Sequence, residues 1–139
     1  MTHASVEDLR WLDAAVRYAT PFLGTTADNP CAAALVVEPH SQRLIARAVT
    51  GRGGRPHPEA IALERAGFHA AGATLYVTLE PCHHWGRTPP CADAIVRSGV
   101  MRVVVGIADP DPRTAKAGLE RLESAGIEVL VVQHAASAV

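Results

Sequence analysis

Apolar residues recur along the chain with two different periods, and these periods predict alternating helices and strands. Ser5 and Asp8 resemble a helix start, and apolar residues then recur with helical spacing as far as Ala19. Further helices are expected at 58–67, 91–99 and 112–126, each ending at a glycine. Strands are expected where β-forming residues alternate or run continuously, at 31–38, 43–50, 73–80, 101–107 and 127–132.

The resulting order, α-β-β-α-β-α-β-α-β, predicts the fold class. A short turn at 39–42 joins the first two strands, which are therefore expected to pair antiparallel. The later strands alternate with helices and are expected to run parallel. We therefore expect an α/β protein, a three-layer α/β/α sandwich around a central mixed five-stranded sheet.

Length, charge and cysteine content narrow the class of protein. The chain has 139 residues, enough for one core, and its formal net charge of −1 provides no basic surface for nucleic acid. No apolar run approaches the roughly 20 residues of a membrane span, and the acidic, amphipathic start is unlike a signal peptide. Three cysteines without a disulfide pattern favour a reducing, cytoplasmic location, where clustered cysteines bind metal or take part in catalysis.

Strong metal ligands are concentrated in EPCHHWGRTPPC, residues 80–91. Cys82 and Cys91 have eight residues between them, but this loop alone falls short of a four-ligand site, and a histidine in a loop is more often simply solvated. His57 immediately precedes one predicted helix and Cys91 begins another, where the positive end of the helix dipole favours a thiolate. Three protein ligands with one open position are the layout of a catalytic zinc site.

The spacing of these residues leads to a family resemblance. The H-x-E at 57–59 and the P-C at 81–82 fit the zinc-deaminase signature, although the second cysteine follows after eight residues in place of two. The chain resembles the pyrimidine deaminase domain of the bifunctional deaminase/reductase of riboflavin biosynthesis, a branch of the cytidine-deaminase-like superfamily. The resemblance runs from about residue 24 to about residue 131, and its further motifs are Asn-Pro at 29–30, ATLYVTLEPCHHWGRTPPC at 73–91 and ADPDP at 108–112.

This resemblance implies a zinc-dependent hydrolytic deaminase with a cytidine-deaminase-like fold. Zinc would be bound by His57, Cys82 and Cys91. Glu59 would be the catalytic acid and base, although a first-turn glutamate is also a common partner of the helix dipole. The substrate-binding positions are then Asn29, His84, Arg87, Thr88, Thr50 and Asp111, of which Arg87 is suited to a ribose phosphate.

Departures from the family pattern leave the substrate open. Ala32-Ala33 replace Val-Gly, Thr50 replaces a histidine, and Asp111 replaces an asparagine near the phosphate, where a carboxylate is unfavourable unless an arginine offsets it. The leading substrate is diaminohydroxyphosphoribosylaminopyrimidine of riboflavin biosynthesis, and other aminopyrimidines or aminopurines are alternatives. A non-catalytic zinc-binding partner of a separate reductase is a further alternative, which the presence of Glu59 disfavours.

The organisation of the protein follows from the same resemblance. We expect a single deaminase domain over residues 1–139, without a reductase domain, that forms a homodimer or higher homo-oligomer. Its partner is expected to be a small amino-heterocycle, with neither nucleic acid nor membrane involved. Cys31, at the start of a predicted buried strand, is expected to be dispensable for metal binding.

Overall fold

The computed structural model describes residues 4–22, 32–50, 57–79, 91–107 and 117–134. Its helices are α1 (Val6–Ala19), α2 (Pro58–Ala66), α3 (Cys91–Ser98) and α4 (Ala117–Ser124), with 3₁₀ turns at Thr20–Phe22 and Gly67–Ala70. Its strands are β1 (Ala33–Glu38), β2 (Arg43–Val49), β3 (Thr74–Leu79), β4 (Arg102–Ile107) and β5 (Glu128–Val131). Each predicted helix and strand is present, although residue 31 of the first predicted strand, residue 80 of the third and residues 112–116 of the last helix lie outside these ranges. None of the helices described has the length and apolar character needed to cross a membrane.

The strands form one sheet in the order β2-β1-β3-β4-β5. β1 pairs antiparallel with both of its neighbours, whereas β3, β4 and β5 run parallel to one another. The predicted antiparallel pair, the parallel strands and the mixed five-stranded sheet are therefore confirmed. Because β1 runs against β2 and β3, its amino end lies at the same edge of the sheet as their carboxyl ends.

Apolar side chains fill both faces of the sheet, since successive strand residues point to opposite sides. One face is covered by α2, α3 and α4, and its core includes Ala62, Leu75, Ile95, Val103 and Leu122. The opposite face is covered by α1, and its core includes Leu12, Ala15, Leu35, Tyr76 and Val104. The predicted three-layer sandwich is confirmed in the part of the chain that the structure describes.

One buried carboxylate ties the amino end of α1 to the sheet. Ser5 and Asp8 form a capping box, in which the Ser5 hydroxyl accepts from the Asp8 N–H and the Asp8 carboxylate accepts from the Ser5 N–H, both at 3.0 Å. The same carboxylate, 1% exposed, accepts two hydrogen bonds from the Arg102 guanidinium at 2.7 and 2.8 Å and one from the Tyr76 hydroxyl at 2.8 Å. Burial raises the pKa of Asp8, but hydrogen bonds from Arg102, Ser5 and Tyr76 outweigh it and lower the pKa to about 2.

Candidate active site

The carboxyl ends of β2, β3 and β4 define one edge of the sheet, and the predicted site residues that the structure describes, Thr50, His57, Glu59 and Cys91, lie on the segments that leave or reach this edge. α2 follows β2 and packs on β1 and β2, so it begins at the edge where β2 ends. α3 follows β3 and returns the chain to the start of β4, so it begins at this edge as well. In α/β sheets, ligands bind in the crevice outside the carboxyl ends of the strands.

His57 and Glu59 lie at the start of α2, as the sequence predicts. His57 is the residue before the helix, with extended backbone angles of φ −73° and ψ 153°, and Pro58 occupies the first helical position. Glu59 follows in the first turn and is only 4% exposed. The helix dipole favours a negative side chain at this end of the helix. A proton-carrying role of Glu59 stays a prediction.

The structure describes only part of the segments that contain the other two predicted zinc ligands. Cys91 is the first residue of α3, which confirms the predicted helix start. Cys82 lies outside the described residues, and the same holds for Asn29, His84, Arg87, Thr88 and Asp111. α2 and α3 pack against each other and begin at the same edge, so the helix starts that carry His57 and Cys91 lie on the same side of the sheet. Ligation by these three residues and the substrate contacts stay predictions.

Two buried threonines hold the amino end of β1 at this edge. Thr50, just after β2, is 4% exposed, and its hydroxyl accepts a hydrogen bond from the Ala32 N–H at 2.8 Å. Thr78, in β3, is 3% exposed, and its hydroxyl accepts from the Ala33 N–H at 3.1 Å. A substrate contact of Thr50 stays a prediction. Thr78 was not predicted as a site residue. The sequence did contain a signal for it, because a hydroxyl at an inward-facing strand position needs a hydrogen-bond partner.

The sequence of this site identifies its family. Residues 5–107 match the family model of the cytidine and deoxycytidylate deaminase zinc-binding region. The chain belongs to this zinc-binding deaminase family. Membership confirms the predicted cytidine-deaminase-like fold and confirms zinc as the metal of the family.

Riboflavin biosynthesis proteins are among the proteins similar to this chain. RibD of Aquifex aeolicus (strain VF5) is 48% identical over 122 residues, which cover 88% of this chain and 34% of that protein. The structure of Acinetobacter baumannii RibD, form 1, matches with a TM-score of 0.89 and 42% identity over 95% of this chain and 37% of that chain.

A third match names a substrate. The Thermotoga maritima diaminohydroxyphosphoribosylaminopyrimidine deaminase/5-amino-6-(5-phosphoribosylamino)uracil reductase has a TM-score of 0.80 and 40% identity, covering 90% of this chain and 36% of that chain. The chain therefore spans about a third of the length of these relatives. The predicted resemblance to the deaminase region of RibD is confirmed.

Proposed function

We propose that this protein is a zinc-dependent hydrolytic deaminase of an amino-heterocycle, with diaminohydroxyphosphoribosylaminopyrimidine as its leading substrate. The observation that carries the proposal is Glu59, a buried carboxylate in the first turn of α2, two residues after His57. A zinc site that serves only stability has no use for a buried carboxylate that is not a ligand. The 40% identity to the T. maritima protein, whose name contains this substrate, supports the choice of substrate.

The proposed reaction replaces an exocyclic ring amine with oxygen from water and releases ammonia. Zinc, when bound, acts as a Lewis acid that lowers the pKa of water toward neutrality. Glu59 takes one proton from the water as the water oxygen bonds to the ring carbon, and delivers this proton to the neighbouring ring nitrogen. Glu59 then takes the second proton from the added hydroxyl and passes it to the amine, which leaves as ammonia as the carbon–nitrogen bond breaks and the carbonyl forms. One carboxylate therefore acts first as base and then as acid, and its burial keeps the transferred proton from exchanging with bulk water.

Selection of the substrate is assigned to residues outside the described ranges, so it rests on the sequence. Arg87 is proposed to bind the phosphate through charge-assisted hydrogen bonds, and Asn29 and His84 are proposed to hold the ring. A carboxylate such as that of Asp111 would weaken the binding of a phosphate beside it, because both groups are negatively charged. Other aminopyrimidines and aminopurines are therefore the second candidates for the same chemistry.

Ammonia release measured side by side on several substrates tests the proposal. The panel is the phosphorylated aminopyrimidine, its dephosphorylated form, free aminopyrimidines and free aminopurines. We expect the highest kcat/KM on the phosphorylated form, and a loss of roughly tenfold to a hundredfold on that form alone in Arg87→Ala, because a charge-assisted hydrogen bond contributes about 1.5–3 kcal/mol. Faster turnover of a free base, or an unchanged ranking in Arg87→Ala, would rule out the phosphate assignment. No turnover of any substrate would favour the non-catalytic partner of a reductase.

Assembly and location are part of the same proposal. We propose a homodimer or higher homo-oligomer, because deaminases of this superfamily often complete the rim of the active site across subunits. We also propose a cytoplasmic location, because three cysteines without a disulfide pattern favour a reducing compartment. Light scattering at micromolar concentration tests the assembly, and a monomeric mass would contradict it. Fractionation of expressing cells tests the location, and recovery outside the cytoplasmic fraction would contradict it.

A further inference from the structure

We propose that a cavity at the edge of the sheet opposite the candidate active site binds a small uncharged molecule whose carbonyl groups accept hydrogen bonds, such as a cyclic amide. The cavity lies between the amino end of α1, the turn at 39–42 and the amino ends of β3 and β4, and its volume is about 400 Å³. Sites for small molecules have volumes of about 300–1,000 Å³. The proposal does not depend on the deaminase reaction, which is assigned to the other edge.

A buried hydroxyl without a partner in the wall of this cavity carries the proposal. Thr74, at the start of β3, is 4% exposed, and its hydroxyl forms no hydrogen bond with any residue that the structure describes. Within the same residues, every fully enclosed side-chain nitrogen or oxygen has a partner, so the Thr74 hydroxyl keeps a small accessible area. Since Thr74 lines the cavity, this area faces into it. Buried polar groups nearly always have partners, and exceptions are expected at functional sites.

The other polar groups of the cavity can donate hydrogen bonds but have few lone pairs left to accept them. The Asp8 carboxylate already accepts four hydrogen bonds, which is about its full capacity. Each terminal nitrogen of Arg102 donates one N–H to Asp8 and has a second N–H. The Gln42 amide accepts from the Trp11 indole at 2.7 Å and donates one N–H to the Pro39 carbonyl at 2.9 Å, and it also has a second N–H. These groups suit a ligand that accepts hydrogen bonds.

The charges around the cavity favour a ligand without charge. Arg102 is the cation among the described residues that line the cavity, and its two hydrogen bonds to Asp8 neutralise it. Glu7 lines the same cavity, and Glu128 lies 3.5 Å from Arg102. A carboxylate or phosphate would therefore be repelled. A cationic ligand would meet the N–H and O–H donors, whereas an uncharged carbonyl group pairs with them.

Uracil, an uncharged ring with two carbonyl groups, is the probe for this cavity, and orotate, the same ring with a carboxylate, is the charged control. The side-chain amide resonance of Gln42 in NMR spectra of the full chain reports the binding, because Gln42 lines the cavity and lies at the edge opposite the candidate active site. We expect uracil to shift this resonance until it saturates, and orotate at the same concentrations to leave it unchanged.

Two buried threonines of β3 separate ligand binding from stability. Thr74→Val is expected to raise the Kd for uracil about tenfold, the effect of one lost hydrogen bond, without lowering the midpoint of urea unfolding, because no bond within the described residues is lost. Thr78→Val, the matched control, removes the acceptor of the Ala33 N–H at 3.1 Å. It is expected to lower the unfolding midpoint and to leave the Kd unchanged. Thr74→Ser keeps the hydroxyl and is expected to bind uracil as the wild type does.

Several results would overturn this proposal. One is a Gln42 resonance that uracil does not shift, and another is an equal Kd for uracil in Thr74→Val and wild type. Orotate that binds as tightly as uracil would contradict the argument from charge. A lower unfolding midpoint in Thr74→Val would show that the hydroxyl serves the fold. None of these measurements uses turnover, so failure of the proposed deaminase function and failure of this proposal are distinguishable.

Discussion

The buried cluster of Asp8, Tyr76 and Arg102 makes a quantitative prediction for the variant Asp8→Asn. The hydrogen bonds from Arg102, Ser5 and Tyr76 lower the pKa of Asp8 from 3.8 to about 2 in the folded protein, a difference that corresponds to roughly 2 kcal/mol of stability at neutral pH. Breaking a buried ion pair costs about 3–5 kcal/mol when the remaining charge has no partner. The Arg102 side chain is 23% exposed, and its guanidinium also lies 3.5 Å from Glu128. We therefore expect a smaller loss of about 2–3 kcal/mol in the free energy of unfolding at pH 7.

The same prediction has a definite dependence on pH. The pKa of Asp8 is lower in the folded protein than in the unfolded chain. Its contribution to the free energy of unfolding is therefore present above pH 3.8 and is lost as the pH falls toward 2. About half of it is lost by pH 3. The difference in stability between wild type and Asp8→Asn is therefore expected to narrow as the pH falls, and effects of acid that are common to both proteins cancel in this difference.

Urea unfolding of the two proteins at several values between pH 7 and pH 3 measures this difference. Asp13→Asn is the matched control, because Asp13 lies on the same helix with its side chain 49% exposed and paired with His134 at 2.7 Å. An exposed pair contributes less than about 1 kcal/mol, so the control is expected to unfold nearly as the wild type does. Equal stability of Asp8→Asn and wild type at pH 7, or a difference that stays constant down to pH 3, would refute the reasoning.

Two further predictions concern the chemistry of the site. Glu59→Gln is expected to fold and to keep its zinc, because the amide has nearly the same shape as the carboxylate. Its kcat is expected to fall about 10²-fold to 10⁴-fold, because an amide cannot carry protons. Near-normal turnover in a steady-state assay would show that Glu59 is not the catalytic acid and base. Cys91→Ser is expected to lose zinc measured by metal analysis, whereas Cys31→Ser, the matched control, is expected to retain about one zinc per chain. Full zinc occupancy in Cys91→Ser would show that the ligand set is wrong.

Much of the fold was predictable from the sequence because it depends on neighbouring residues. α1 begins at Ser5 because a hydroxyl and a carboxylate three residues apart satisfy two free N–H groups of the first turn. α2 begins after His57 because Pro58 needs no N–H partner in the first turn. The H-x-E motif is equally local, so the sequence also predicted that His57 and Glu59 lie together at the start of a helix. The assignments of Asn29, Cys82, His84, Arg87, Thr88 and Asp111 lie outside the described residues and remain predictions from the sequence.

Other features depend on contacts between distant parts of the chain. The placement of β1 between β2 and β3 is decided by which strand pairing buries both apolar faces of the whole sheet, and helical or strand periodicity contains no information about that choice. The Asp8 carboxylate binds groups 68 and 94 positions away, and the Ala32 and Ala33 N–H groups bind hydroxyls 18 and 45 positions away. The sequence by itself therefore determined the helices and the strands, through interactions within one or two turns, and the pattern of candidate metal-binding residues. Only the tertiary structure decided which buried polar groups meet, because a buried donor or acceptor takes whichever partner the packed sheet brings within hydrogen-bonding distance.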